Sequence, residues 1–125
     1  MSGVTFDAGA LIAFERGDRR VLAIVARALQ RRAKVVVPAG VVGQVWRDGR
    51  QQVRLARLLA SPVLQVEPLD DRSARAAGQL CGIARTSDVI DASVVACARA
   101  HRHAVVTSDA RDLRRLDPTL PVVEL

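Results

Sequence analysis

Short runs of β-branched and apolar residues recur along the chain, separated by segments with helical periodicity. Each run is only two to four residues long and almost wholly apolar, as in Val35-Val36-Val37. Strands of this kind are buried on both faces, which is typical of a parallel sheet covered by helices. We therefore expect an α/β fold, with strands over residues 4–6, 35–37, 63–66, 104–107 and 122–123.

Apolar residues at spacings of three and four predict the intervening helices. Pro38 is expected to open one of them, Asp70 or Asp71 to cap another, and Ser87 or Asp88 to cap the next. No repeat, low-complexity tract or linker interrupts residues 1–125, so we expect a single domain. The predicted helices cover residues 8–14, 21–29, 39–46, 51–59, 71–85, 88–100 and 109–116.

The composition indicates a globular protein. Half of the 125 residues are hydrophobic and 26% are charged, and no apolar run approaches the roughly 20 residues of a membrane helix. The N-terminus has no basic region followed by an apolar segment, so we expect a cytosolic protein. Cys81 and Cys97 lie in no CxxC motif, which favours two buried thiols over a zinc site. His101 and His103 lie near a predicted helix end and receive no catalytic role.

Three aspartates follow predicted elements in a way that brings them to one edge of the sheet. Asp7 comes directly after the first strand, and Asp109 comes two residues after the 104–107 strand. Asp91 lies in the first turn of the helix that begins near Asp88. Because ligands of such folds bind outside the carboxyl ends of the strands, we expect Asp7, Asp91 and Asp109 to meet there.

Such a cluster predicts metal-assisted chemistry. Close carboxylates raise one another's pKa, which costs stability unless a cation offsets the charge. Mg²⁺ and Mn²⁺ prefer carboxylate and water oxygens, and they activate water and polarise phosphodiesters. Thr107 or Ser108 could hold a carboxylate or a water in place. We therefore predict an acidic Mg²⁺ or Mn²⁺ site that cleaves nucleic acid.

The same acids have an alternative role as helix caps. Asp88-x-x-Asp91 and Asp109-x-x-Asp112 both fit a capping box, in which the first side chain caps the helix and the second reaches back. Asp7 could cap the helix that follows it. A carboxylate at a helix N-terminus can cap and line a site, so both interpretations stay open.

Three segments of the chain resemble the PIN-domain family, specifically the small ribonuclease toxins of VapC-type toxin–antitoxin pairs. They are Val4-Thr5-Phe6-Asp7 with the small-residue helix after it, Asp91-Ala92-Ser93-Val94 with its helix, and Val105-Val106-Thr107-Ser108-Asp109. The resemblance runs nearly end to end. It implies a PIN-like three-layer α/β/α fold with a mainly parallel central sheet.

The resemblance also implies a function and partners. It implies a Mg²⁺- or Mn²⁺-dependent endoribonuclease of a prokaryote, with Asp7, Asp91 and Asp109 as catalytic metal ligands and with Asp88 and Asp112 as further candidates. The implied partners are an RNA substrate, a cognate antitoxin and a second copy of the chain in a homodimer.

Gln44 departs from the family pattern. It stands where the family commonly has an acid, usually Glu, on the helix after the second strand. An amide offers an oxygen without charge, so metal affinity should fall. Asp88, one turn before Asp91, could compensate. Retained metal binding in Asp88→Asn would contradict that hypothesis, and Gln44 could equally face solvent.

Arginines supply nearly all the positive charge, because Lys34 is the only lysine and the net charge is +6. A basic surface suits either a phosphate-rich partner or an acidic protein. Four arginines at spacings of three or four would form one stripe on a continuous helix, or two patches if Gly49 breaks it. The stripe could track phosphates, dock an antitoxin or simply be solvated; its members are Arg47, Arg50, Arg54 and Arg57.

Three other functions fit less well or not at all. A non-catalytic PIN-like module that binds RNA or protein is the main alternative, with Gln44 as the sign of a degenerate site. A receiver-like phosphoryl-transfer protein is disfavoured because Lys34 precedes the wrong strand. A P-loop is excluded because no GxxxxGK[ST] motif is present.

Overall fold

The computed structural model describes residues 3–125, which form five strands and seven helices, with one or two helices between successive strands. In chain order the elements are β1 (Val4–Phe6), α1 (Ala8–Glu15), α2 (Arg19–Gln30), β2 (Val35–Pro38), α3 (Ala39–Val45), α4 (Val53–Leu59), β3 (Leu64–Glu67), α5 (Asp71–Ala84), α6 (Val89–His101), β4 (Ala104–Thr107), α7 (Ala110–Leu116) and β5 (Val122–Glu124).

All five strands belong to one parallel sheet with the order β3-β2-β1-β4-β5. Val4 of the central strand pairs with Val35 on one side and with Ala104 on the other. The chain thus moves outward from β1 to β3, then returns to the other side of β1. In sheets of this kind ligands bind where the strand order reverses, which here is at the carboxyl ends of β1 and β4.

Helices cover both faces of the sheet, which confirms the predicted three-layer α/β/α arrangement. Helices α1, α3 and α4 pack together, whereas α5, α6 and α7 form a second group. The sheet between them is apolar because β2 is buried along its whole length and β4 is buried from its second residue. Phe6, Leu11, Val95 and Leu113 are almost fully buried between the layers.

The predicted element boundaries differ from the observed ones by at most two residues. Helix α2 begins two residues earlier than expected because the Asp18 carboxylate accepts hydrogen bonds from the backbone of Arg20 and Val21. Helix α5 begins after Asp70, which forms a complete capping box with Ser73.

Helices α3 and α4 are separate, so the predicted arginine stripe is divided. Gln52 holds the intervening turn: its amide oxygen accepts from the backbone N–H of Arg47 and Asp48, and its amide nitrogen donates to Val45 O. Gly49 packs against Trp46 in this turn. The stripe is therefore two patches, as expected if Gly49 interrupts the helix.

Both cysteines are buried and unbonded, as predicted. His101 is the last residue of α6, and the buried His103 forms a hydrogen bond with Thr5. Within residues 3–125, no helix combines the length and the apolar character that a membrane crossing requires.

Candidate active site

Asp7 lies at the carboxyl end of β1, where its carboxylate is held from two sides. Its Oδ1 accepts a hydrogen bond from the backbone N–H of Ala10 (2.9 Å), so Asp7 caps α1. Its Oδ2 accepts from the Thr107 hydroxyl at the end of β4 (2.5 Å). The residue is only 8% exposed. Neighbouring strands at the switch point therefore fix the orientation of this carboxylate.

Thr107 connects the first aspartate to the third. Its Oγ1 accepts a hydrogen bond from the backbone N–H of Asp109 (2.8 Å) while it donates to Asp7. Burial raises the pKa of Asp7, the hydrogen bonds from Thr107 and Ala10 oppose this, and the negative charge of Asp109 raises it further. Asp7 and Asp109 are thus brought together, and Thr107 performs the positioning predicted for Thr107 or Ser108.

Asp91 lies in the first turn of α6 and faces the other acids. Its pKa is raised to about 6, first by burial and then by the charge of Asp88 and a hydrogen bond with it. The charges of Asp112 and Asp7 contribute in the same direction. Contact with the Asp109 side chain also raises the pKa of Asp112. The five candidate acids therefore belong to one electrostatic cluster.

Capping explains the first member of each acidic pair but not the second. Asp88 Oδ1 accepts from the Asp91 N–H (3.0 Å), and Asp109 Oδ1 accepts from the Asp112 N–H (3.5 Å). The reciprocal half of the box is absent from both pairs, because threonine hydroxyls accept the Asp88 and Asp109 N–H groups instead. Thr86 Oγ1 accepts from the Asp88 N–H at 3.3 Å, and Thr107 Oγ1 accepts from the Asp109 N–H at 2.8 Å.

An open cleft of about 200 Å³ adjoins this cluster. Its polar walls are Thr86, Asp88, Asp91, Asp112 and Arg115, and its apolar walls are Ala84 and Leu116. A larger groove of about 420 Å³ lies between α5 and α6 and contains none of the five acids. The smaller cleft is therefore lined by Asp88, Asp91 and Asp112, whereas Asp7 and Asp109 do not line it.

The chemistry of the donor set fits a hard divalent cation. The cluster presents only oxygen ligands. Burial is the largest cause of the raised pKa of Asp7 and of Asp91, the hydrogen bond and charge of Asp109 raise that of Asp112, and like charges nearby contribute to all three. Across residues 3–125, however, no three His, Cys, Asp or Glu side chains already surround a common metal position. The carboxylates are near enough to perturb one another, but Asp7 and Asp109 are oriented by their hydrogen bonds as caps.

Two other candidate residues have different surroundings. Gln44 is exposed on α3, and its side chain makes no hydrogen bond to residues 3–125. Ser108 is exposed, and its hydroxyl occupies the space that a Cβ at Gly9 would need. Gly9 is also close to Asp7 Oδ1, so the absence of a side chain at position 9 lets α1 approach the end of β4.

The predicted RNA-binding arginines are only partly available. The Arg47 side chain donates to the carbonyls of Gly43 and Trp46, and that of Arg54 donates to Glu15 O. Arg50 and Arg57 are exposed. Arg47 and Arg54 therefore also stabilise the ends of α3 and α1.

Sequence patterns did not reveal several residues that shape this region. Thr86 was missed, although the pattern Thr86-x-Asp88 repeats Thr107-x-Asp109 and could have indicated it. Arg115 was missed because arginines are frequent throughout the chain. Glu15, whose carboxylate accepts from the Leu55 N–H (2.7 Å), joins α1 to α4 across 40 residues, which no local pattern reveals.

Comparisons with known proteins agree with this architecture. A family model described as the PIN domain matches residues 4–117. Among solved structures, a toxin–antitoxin complex from Klebsiella pneumoniae is 19% identical with a TM-score of 0.70, covering 98% of this chain and 100% of that chain. VapBC2 from Rickettsia felis, bound to a promoter DNA fragment, is 12% identical with a TM-score of 0.73 and 98% coverage of both chains.

VapC20 from Mycobacterium tuberculosis, described as a Sarcin-Ricin loop cleaving toxin, is 20% identical with a TM-score of 0.62 and 98% coverage of both chains. No curated protein is significantly similar to this chain. At these identities the solved structures establish a shared fold, and the family match extends over nearly all of the sequence. The chain belongs to the PIN-domain family.

Proposed function

We propose that the chain is a metal-dependent endoribonuclease, the toxin of a type II toxin–antitoxin pair, which hydrolyses RNA phosphodiesters at its acidic cluster. The observation that carries the proposal is the convergence of carboxylates from three separate segments at the switch point of the sheet. After burial in the case of Asp7 and Asp91, neighbouring carboxylates contribute to the raised pKa of Asp7, Asp91 and Asp112, and a bound cation would relieve that repulsion.

Asp7, Asp91 and Asp109 would hold Mg²⁺ or Mn²⁺, with Asp88 and Asp112 as outer members. When bound, the ion supplies a Lewis acid for hydrolysis of the phosphodiester. Thr107 would keep Asp7 and Asp109 in register through its two hydrogen bonds. The burial of Asp7 limits the access of water to its carboxylate, so its charge acts in a medium of low dielectric constant.

The proposed partners follow from the same set of relatives. The Klebsiella pneumoniae and Rickettsia felis structures are described as toxin–antitoxin assemblies, which supports a cognate antitoxin for this chain. The exposed Arg50 and Arg57 are candidate contacts for RNA phosphates or for acidic residues of that antitoxin. A homodimer and a cytoplasmic site of action are part of the proposal.

RNA cleavage in the presence of Mg²⁺ or Mn²⁺ tests the proposal. Wild type, Asp7→Asn and Asp91→Asn would be compared on total RNA and on a sarcin–ricin-loop hairpin, the latter because VapC20 is described as cleaving that loop. We expect EDTA and both substitutions to abolish cleavage. Glu124→Gln, an exposed carboxylate at the end of β5, is the matched control and should retain it. Equal cleavage by wild type and Asp7→Asn would contradict the proposal.

A non-catalytic PIN-like module that binds RNA or protein is the second candidate. It is favoured by the uncharged Gln44 and by the absence of a preformed three-ligand site within residues 3–125. In that case wild type would bind RNA or its partner without cleaving RNA at any Mg²⁺ or Mn²⁺ concentration. Restoring the family's acid with Gln44→Glu would then test whether the missing carboxylate is the reason.

A further inference from the structure

Arg115 is the one cation among the residues that line the acidic cleft. It lies on α7, one turn after Asp112, so the two side chains share a helix face. Its charge lowers the pKa of Asp112, which opposes the effect of Asp109. Within residues 3–125, no carboxylate oxygen lies within 4.0 Å of its guanidinium. Arg115 is thus close to the acids but is not paired with any of them.

The cleft also has room for a phosphate group beside Arg115. Its volume of about 200 Å³ corresponds to about seven waters at roughly 30 Å³ each. That space admits a phosphate with part of its hydration. Leu116 and Ala84 form apolar walls beside the guanidinium.

We propose that Arg115 binds a phosphate of the RNA backbone and holds it against the acidic cluster. The inference rests on the proposed nuclease function, which it extends to the substrate side of the site. An acidic cluster repels a polyanion, so a nuclease built around one needs a cation on the substrate side. A guanidinium suits this role because it donates two parallel hydrogen bonds to phosphate oxygens and stays charged at all relevant pH values.

A purely structural role is the competing explanation. In that case Arg115 would only reduce the repulsion among Asp88, Asp91 and Asp112. Removing it would then lower thermal stability and strengthen cation binding, without a specific effect on RNA. Substrate binding predicts a different result, namely weaker RNA binding with little change in stability, because the Arg115 side chain is exposed.

The test compares wild type with Arg115→Gln, Arg115→Lys and the matched control Arg114→Gln. Arg114 is the preceding residue on the same helix, is also exposed, and does not line the cleft. Steady-state cleavage of a fluorescent RNA with Mn²⁺ would give kcat and KM as a function of salt concentration. Fluorescence anisotropy with the same RNA and Ca²⁺ would give binding affinity independently of cleavage.

We expect Arg115→Gln to lower kcat/KM about 10- to 100-fold and to reduce the salt slope by about 0.7, as for one lost contact to a single strand. Arg115→Lys should recover part of the loss, and Arg114→Gln should stay within about twofold of wild type. If wild type cleaves RNA and the kcat/KM of Arg115→Gln equals that of Arg114→Gln, Arg115 does not bind substrate.

If wild type cleaves no RNA, the proposed function fails, and binding then decides the role of Arg115. Affinity at least about fivefold weaker in Arg115→Gln than in Arg114→Gln would support a phosphate contact. Equal affinity of the two variants, or no RNA binding by wild type, would overturn it.

Discussion

Asp91→Asn should stabilise the metal-free protein at neutral pH, although it removes a proposed ligand. The Asp91 pKa is raised from its ordinary 3.8 to about 6 by burial and by the charge of Asp88. Because the folded pKa exceeds the unfolded one, the folded state binds the proton more tightly. The Asp91 carboxylate therefore lowers the free energy of unfolding, and this loss grows as pH rises from about 4 to about 6. Above pH 6 the loss stays constant.

The magnitude follows from this difference. At 1.36 kcal/mol for each pH unit, the change from 3.8 to about 6 corresponds to about 3 kcal/mol as an upper limit. Asp91 is only partly buried, so solvent screening should reduce this to about 1 kcal/mol. Asparagine carries no charge, keeps a similar shape and avoids the cost. For a chain of this size, about 1 kcal/mol raises Tm by roughly 3–5 °C.

Thermal unfolding in EDTA between pH 4 and pH 8 measures the effect. The stability difference between Asp91→Asn and wild type should be near zero at pH 4, grow up to about pH 6 and then level off. The exposed Glu124→Gln should show no such profile. In Mn²⁺ wild type should be more stable than Asp91→Asn, because a cation that binds only the folded wild type stabilises it. If Asp91→Asn is less stable than wild type at pH 7 in EDTA, the reasoning is refuted.

Three further substitutions test the scaffold around the cluster. Thr107→Val should lower the free energy of unfolding by about 1–3 kcal/mol in urea titrations, because Asp7 and the Asp109 N–H lose a partner, whereas Thr107→Ser should retain most of it. In the same titration, Gly9→Ala should be about 1 kcal/mol more costly in wild type than in a Ser108→Gly background, because an alanine Cβ at position 9 collides with the Ser108 hydroxyl. Arg85→Gly should raise Tm through a gain of about 0.5–1 kcal/mol, because Arg85 ends α5 with a left-handed φ of 57°; an unchanged Tm would contradict this.

The fold was predictable because its main determinants are local. Each strand is a short run rich in apolar residues, and the longer helices, such as α2 and α5, carry their apolar residues at helical spacing. Strand order was not visible, since β1 lies between β2 and β4 through contacts that span about 30 and 100 residues. The turn between α3 and α4 was also missed in detail, because Gln52 holds it through hydrogen bonds to three separate backbone groups.

The acids of the candidate site were predictable in position but not in orientation. A strand followed directly by Asp7, and another followed by Asp109, places both at the carboxyl edge of any parallel sheet. Which oxygen faces which partner depends on the bridging Thr107, and on the fact that a glycine at position 9 leaves room for Ser108. These are contacts between segments about 100 residues apart. Their geometry therefore appears only in the folded chain.

The capping and metal-binding interpretations use the same residues because a helix N-terminus favours both. Its unpaired N–H groups and positive dipole end attract a carboxylate, whether or not a cation is also bound. The two interpretations differ in the role that they give to Asp91 and Asp112, the second acid of each pair. Thr86 and Thr107 already accept the N–H groups to which Asp91 and Asp112 would reach back in a capping box. The charges of Asp91 and Asp112 therefore carry an electrostatic cost without serving as caps. A bound cation would offset that cost, which is why these two acids, more than the caps themselves, favour a metal site.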